Sequence, residues 1–234
     1  MLSKIHSAAN IGLDATLITA EVDVSAMGLP AFIIVGLADR AVEESKERVK
    51  LAIKNSGVEF PDHKITVNLA PADLPKEGPI FDLPIALGIL ASSGQILSNQ
   101  NFNLKETLVI GELSLDGTLR YTRGILPISL FAQSYGFKNI IVPFENAQEA
   151  ACVEGLQVFA FHSLQQIIKV LLGQEPINPI KKESLNLEED LIFDYDFSQI
   201  KGQEQAKRAL EIAATGGHNI LLMWTQYQQL SSKL

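Results

Sequence analysis

Side chains able to attack a carbonyl or phosphate, and bases able to activate them, are scattered thinly along this chain. Ser92 and Ser93 close an apolar stretch, and Ser114 stands in a turn two residues after Glu112. Nucleophilic catalysis needs a hydroxyl or thiol within reach of a base, whereas serines at such positions usually cap helices or form turns. The caps are the expectation here. His6, His63, His162 and His218 show no HExxH spacing and no partner at ligand spacing, so they are expected to pack or face solvent. Cys152 is the single cysteine, which excludes an internal disulfide framework and cysteine-pair zinc sites and fits a reducing cytoplasm. Asp73 and Asp82 flank the string PKEGP. Two carboxylates fall short of the roughly six oxygens that Mg²⁺ or Ca²⁺ requires, and they are expected to cap a turn and a helix. Lys46, Lys50 and Lys54 recur every four residues and could touch phosphates, but Glu43, Glu44 and Glu47 interleave with them. An i,i+4 pair from Glu44 to Arg48 would suit a solvated helix and add about 0.2–0.5 kcal/mol.

The elements that must carry these residues follow from periodicity. ATLITAEVDVS alternates apolar and polar residues and LPAFIIVGL is a β-branched and aromatic run, which predicts two or three strands in a meander. Asp39 is placed to cap a helix whose apolar positions Val42, Val49 and Ile53 share a face, with Asn55-Ser56-Gly57 as its stop. KITVNLAP reads as a strand, PADLPKEGP as a loop and FDLPIALGILASSG as an apolar helix that tolerates Pro84 in its first turn. ETLVIGEL is a further strand turned at Asp116-Gly117. GILPISLFAQSYGF is a helix ended by Gly136, NIIVP a strand, ENAQEAACVEG a short helix, LQVFAF a strand and SLQQIIKVLLG a helix beginning at Ser163. Strands alternating with helices predict an α/β layered domain.

Composition bounds the alternatives. With 47% hydrophobic and 20% charged residues, 10 Pro and 16 Gly in 234 residues, the chain is neither disordered nor fibrous. Nineteen Lys and Arg against 27 Asp and Glu give a net charge of −8, so no overall field draws it to nucleic acid or an anionic membrane. The start lacks the apolar run of a secretory signal before Asp14, and no stretch is long enough to span a bilayer. A protein of the cytoplasm with no membrane partner is expected. After Gln174, EPINPIKKESLNLEED has the composition of a connector, and the segment beyond it predicts a helix from about Gln203 to Ala214, a Gly216-Gly217 break and an apolar strand over 219–223.

That last segment, DFSQIKGQEQAKRALEIAATGGHNILLM, resembles the entry to an AAA+ ATPase module of the magnesium-chelatase-like kind. The resemblance implies that Ile200, Lys201 and Gly202 match the hydrophobic-Lys-Gly turn beside the adenine, and that 219–222 match the strand before the phosphate loop. A phosphate loop reads GxxxxGK[ST], because backbone N–H groups must cradle the phosphates, the Lys must reach them and the hydroxyl must hold Mg²⁺. No Gly-Lys dipeptide occurs in the sequence, which continues MWTQYQQLSSKL. The strings VGLADRAVEESKERVKLAIKNSG and ITVNLAPADLPKEGPIFDLPIALGIL are similar to the leading domain of ComM/YifB-type magnesium-chelatase-like proteins, so the likeness covers essentially residues 1–223. Such domains are related to the proteolytic domain of Lon, with its Ser-Lys dyad, and to the ribosomal S5-like fold. By that comparison the serine would follow PKEGP, where this chain has Ile80. The lysine would follow the Gly111, Gly117, Gly124 anchors, where it has Leu126.

The resulting expectation is a Lon-protease-like, S5-like α/β domain over 1–172, a linker over 173–194 and an AAA+ entry over 195–234 cut off before its phosphate loop. The resemblance implies a non-catalytic module of an ATPase linked to DNA processing in competence and recombination. It would act in assembly or DNA contact, with homo-oligomers and DNA as partners, no metal, and ATP and Mg²⁺ used only by complete relatives. The alternatives are a residual Lon-type serine peptidase and a non-functional remnant of a frameshifted gene.

Overall fold

The computed structural model describes residues 2–12, 14–25, 28–37, 39–96, 103–181 and 196–223. The chain divides into two compact units, Met1–Glu183 and Ser184–Leu234.

The first unit is built on a seven-stranded mixed sheet. In chain order its strands are β1 (Ser3–Ile11), β2 (Asp14–Ser25), β3 (Ala31–Val35), β4 (Lys64–Ala70), β5 (Thr107–Val109), β8 (Asn139–Pro143) and β9 (Gln157–Phe161), while β6 (Glu112–Leu113) and β7 (Leu119–Arg120) form a separate small hairpin. The spatial order is β3-β4-β2-β1-β5-β8-β9. β1 with β2 and β2 with β4 run antiparallel, and every other neighbouring pair is parallel. The helices are α1 (Arg40–Asn55), α2 (Asp82–Ser92), α3 (Ile125–Tyr135), α4 (Ala147–Ala151) and α5 (Leu164–Leu171).

Sequence pattern explains which strands are covered on which faces. β4 alternates strictly, burying Ile65, Val67 and Leu69 in one cluster, and β2 buries Ile18, Ala20 and Val22 in the same cluster. β4 is buried on one face, whereas Ala15 and Leu17 on the other face of β2 are half-buried against a second cluster. β8 is apolar after Asn139: Ile141 joins the first cluster while Ile140 and Val142 join the second, with Ile125, Ile128 and Ala132 of α3. A strand covered on both sides needs such a continuous run. α2 crosses β1 and β2 so closely that a Cβ on Gly88 would lie 2.5 Å from Val22 Cγ2.

Three expectations are corrected. The first strands form no three-strand meander: β1 and β2 make a hairpin, but β3 pairs in parallel with β4, which lies between it and β2. The α1 crossover between β3 and β4 makes a parallel β-α-β unit, and local alternation cannot distinguish that from a meander. ETLVIGEL is two strands, because at Gly111 the backbone leaves the sheet: its N–H donates to the Ile80 carbonyl at 3.1 Å and its carbonyl accepts from Leu83 N–H at 3.0 Å. Residues 219–223 form no strand, and no described residue of the second unit offers them a neighbouring strand. That unit's described part holds a 3₁₀ turn (Phe197–Gln199) and α6 (Glu204–Gly216). Of the expected linker over 173–194, residues 182–194 lie outside the described residues, as do the residues after 223.

Candidate functional site

The loop carrying PKEGP is fastened to the start of α1. Asp39 accepts from Val42 N–H at 2.7 Å with one oxygen, capping α1 as its sequence position implies, and from Gly78 N–H at 3.1 Å with the other. The backbones also meet, Lys76 N–H to Leu37 O at 3.2 Å and Asp39 N–H to Lys76 O at 3.1 Å. Lys76 is fully buried, and its ammonium donates to the Pro71 carbonyl. Burial holds its pKa below the usual lysine value, with Asp73 opposing the shift.

Beside this loop opens a groove of about 760 Å³ whose lining includes Asn10, Glu77, Ile80, Glu112, Tyr121 and Arg123. Its far wall, residues 119–124, is held in place by two asparagines. Buried Asn146 accepts from Thr122 N–H at 2.9 Å and donates to Thr122 O at 2.8 Å, and Asn10 donates to Gly124 O at 3.1 Å. Ile80 sits in a 3₁₀ turn (Pro79–Phe81) and faces the groove with an aliphatic side chain. Leu126 lies in the first turn of α3, 40% exposed, its N–H donating to Glu149 at 2.9 Å. The hydroxyl of Thr122 donates to Arg120 O at 3.3 Å. The groove's lining presents two carboxylates, a guanidinium, a phenol, a hydroxyl and an amide beside apolar surface, with no lysine, histidine or serine among the described lining residues.

Behind the groove is a buried network that sequence reading did not find. Arg48 reaches Asp82 twice, Nε to Oδ2 at 2.7 Å and a terminal nitrogen to Oδ1 at 3.1 Å; Ser45 also donates to Oδ1, and Leu113 N–H donates to Oδ2 at 3.3 Å. This corrects two expectations. Asp82 is the first residue of α2 but caps nothing, because its carboxylate points at α1 and β6. Arg48 does not pair with Glu44, which pairs with Arg40 at 3.2 Å. Burial pushes the Asp82 carboxyl above its ordinary value against the pull of Arg48, Ser45 and Leu113, while the Asp82 hydrogen bond raises Arg48. The signal was present: Ser45 lies on the same face as Val42, Val49 and Ala52, with Arg48 beside it.

The remaining candidates have structural partners. Ser92 accepts from Val24 N–H at 2.9 Å, Ser93 donates to Leu90 O at 3.1 Å, and Ser114 accepts from Arg120. His6 meets Thr19 at 3.3 Å and leans on Phe137, His162 stacks on Phe144 with centroids 4.0 Å apart, and His218 N–H bonds Ala213 O at 2.8 Å. His63 lines a groove with Lys46, Lys50 and Lys54. Cys152 is exposed and free. Among the described residues, no group of three or more His, Cys, Asp or Glu could hold a metal ion, and no helix is long and apolar enough to cross a membrane.

In the second unit Ile200 is 46% exposed, Lys201 and Gly202 are exposed, and Lys207 Nζ donates to Ile200 O at 2.7 Å. The described residues there form a 3₁₀ turn and a helix.

Comparison with known proteins places the chain. Residues 20–146 match the family described as subunit ChlI of Mg-chelatase, and residues 196–226 match that described as magnesium chelatase, subunit ChlI. The chain belongs to the magnesium-chelatase-like family of ComM and YifB. It is 40% identical over 226 residues to competence protein ComM of Haemophilus influenzae, covering 95% of this chain and 43% of that protein. It is 43% identical over 225 residues to YifB of Escherichia coli, covering 95% and 42%. The chain thus spans less than half the length of these curated relatives. A more distant similarity, 26% over 133 residues, links 56% of it to 23% of Lon protease 2 of Bacillus subtilis.

Proposed function

We propose that these 234 residues act as a non-catalytic leading module of a magnesium-chelatase-like AAA+ ATPase. The module has a Lon-like, S5-like fold, works in the cytoplasm, and serves assembly or DNA contact in DNA processing. The observation that carries the reading is the groove beside PKEGP. Its wall presents Ile80, the residue after PKEGP at which the resemblance to Lon implies a serine, and the lysine of that string is buried on the Pro71 carbonyl instead of lining the groove. The hydroxyls that line the groove, Thr122 and Tyr121, have no lysine or histidine beside them in its lining, which supports the same reading. The second unit's turn at Ile200, Lys201 and Gly202 without any GxxxxGK[ST] supports the absence of nucleotide turnover and of a bound cofactor in this chain. The name of the Haemophilus relative, competence protein, is what points to DNA processing.

The test is direct. Purified protein should release no phosphate from ATP above a buffer blank, leave casein intact and resist labelling by a serine-reactive phosphonate. A positive in any of these assays overturns the non-catalytic reading. Anisotropy of a labelled oligonucleotide and sedimentation of the protein then separate the two roles, since a rise on titration assigns DNA contact and a concentration-dependent increase in mass assigns assembly.

A further inference from the structure

The groove beside PKEGP is a notch in the main sheet. β1 pairs along its whole length with β2, but on its other side it meets β5 only around His6, which faces Leu108 in parallel register. Three residues further along each strand Gly111 would face Ala9, and there the chain has already left the sheet to bond Ile80 and Leu83. Ala9, Asn10 and Ile11 therefore have no neighbouring strand on that side among the described residues, and all three line the groove. At a strand's rise of about 3.3 Å per residue they offer roughly 10 Å of edge. Such an edge carries main-chain N–H and C=O groups that require partners. Here it is recessed between two walls, so an incoming chain meets side chains on either hand.

The walls carry opposite charges that are not spent on each other. Glu77, on the PKEGP loop, and Arg123, on the far wall, are exposed and make no ion pair among the described residues. Glu112 adds a second carboxylate to the lining, with Arg120 3.8 Å away, beyond hydrogen-bond distance. A phosphate backbone would satisfy Arg123 but be repelled by the two carboxylates, and a purely cationic ligand would meet the reverse. A polypeptide can present both signs together with the main-chain groups that a strand edge takes up. The groove's volume of about 760 Å³ lies within the range of about 300–1,000 Å³ usual for ligand sites.

We propose that the groove captures an extended polypeptide segment of a partner protein, its backbone laid against residues 9–11 in the lane that β5 vacates at Gly111. Its basic side chains face Glu77 and Glu112, and an acidic group faces Arg123. Main-chain bonds to the strand edge supply affinity without regard to sequence, and the charged walls select among segments. That the segment is held without being cut rests on the non-catalytic reading above, whereas capture itself does not.

The probe is a fluorescein-labelled peptide, Thr-Lys-Val-Lys-Val-Glu-Ser, titrated with the full chain and followed by anisotropy. A saturable rise is expected. The same peptide N-methylated at alternate positions, which removes main-chain donors, should not bind, and an unlabelled oligothymidylate should not displace the parent peptide. Glu77→Lys, at an exposed loop position, should weaken binding by about tenfold. A peptide with glutamate in place of both lysines should restore it, which a merely misfolded variant would not allow. A flat trace with the parent peptide, equal binding of the N-methylated one, displacement by oligothymidylate, or a Glu77→Lys variant that binds normally or is not rescued would each overturn the proposal. So would sedimentation showing self-association that the peptide competes away, since a second copy would then be the occupant. Mass spectrometry of the recovered peptide bears on the other reading alone: cleavage ends the non-catalytic assignment and leaves capture standing.

Discussion

Asp82 and Arg48 show how one buried carboxylate can fix a junction between elements. The carboxylate is fully buried and Arg48 is 21% exposed, so removing either partner strands a charge with no water to replace the lost donors. Loss of one partner of a buried pair costs about 3–5 kcal/mol, and the partial exposure of Arg48 places Asp82→Ala near the lower end. Urea unfolding should report that loss, and Asp82→Leu combined with Arg48→Met should recover much of it. His6 gives a pH dependence. Burial, helped by Lys4, holds its pKa below 6.5, so the folded state binds the proton less tightly than the unfolded chain. Its contribution is fully present above 6.5 and is lost as pH falls through the lowered value. The unfolding free energy of the wild type should therefore decline on acidification below 6.5, and His6→Gln should flatten that part of the profile.

At the scale of elements, the β3-α1-β4 unit depends on one tight passage. Gly36 leaves β3 at φ +107°, and a Cβ there would lie 2.3 Å from the Leu69 carbonyl oxygen. Neither the angle nor the space admits a side chain, so Gly36→Ala should destabilise by about 2–3 kcal/mol, read as a lower thermal midpoint by circular dichroism. α5 starts at Ser163, whose hydroxyl accepts from Gln166 N–H at 3.3 Å. Ser163→Ala should cost about 1 kcal/mol, measured as a small drop in the urea midpoint with an unchanged slope. Caps such as Asp39 and Ser163 were legible in the sequence because a cap is satisfied within three residues of itself. The split of ETLVIGEL at Gly111 was not, since what draws the chain out of the sheet is the backbone of Ile80 and Leu83, some thirty residues away.

At the scale of the molecule, nearly all the described core belongs to Met1–Glu183: among the described residues, the one buried apolar residue of the second unit is Ala213. Deleting Ser184–Leu234 should therefore change the unfolding free energy of the remainder by no more than about 0.5 kcal/mol, as judged by urea titration of the two proteins side by side. The sequence determined by itself the five helices and most of the strands of the first unit, caps such as Asp39 and Ser163, and the aliphatic identity of position 80, because each follows from neighbours along the chain. Tertiary structure alone decided that β4 lies between β2 and β3, that Arg48 turns inward to Asp82, that Lys76 is withdrawn from the groove and that β3 is left as an edge. Each of these depends on which distant segment supplies the hydrogen bond or covers the surface, and periodicity along one chain carries no record of that partner.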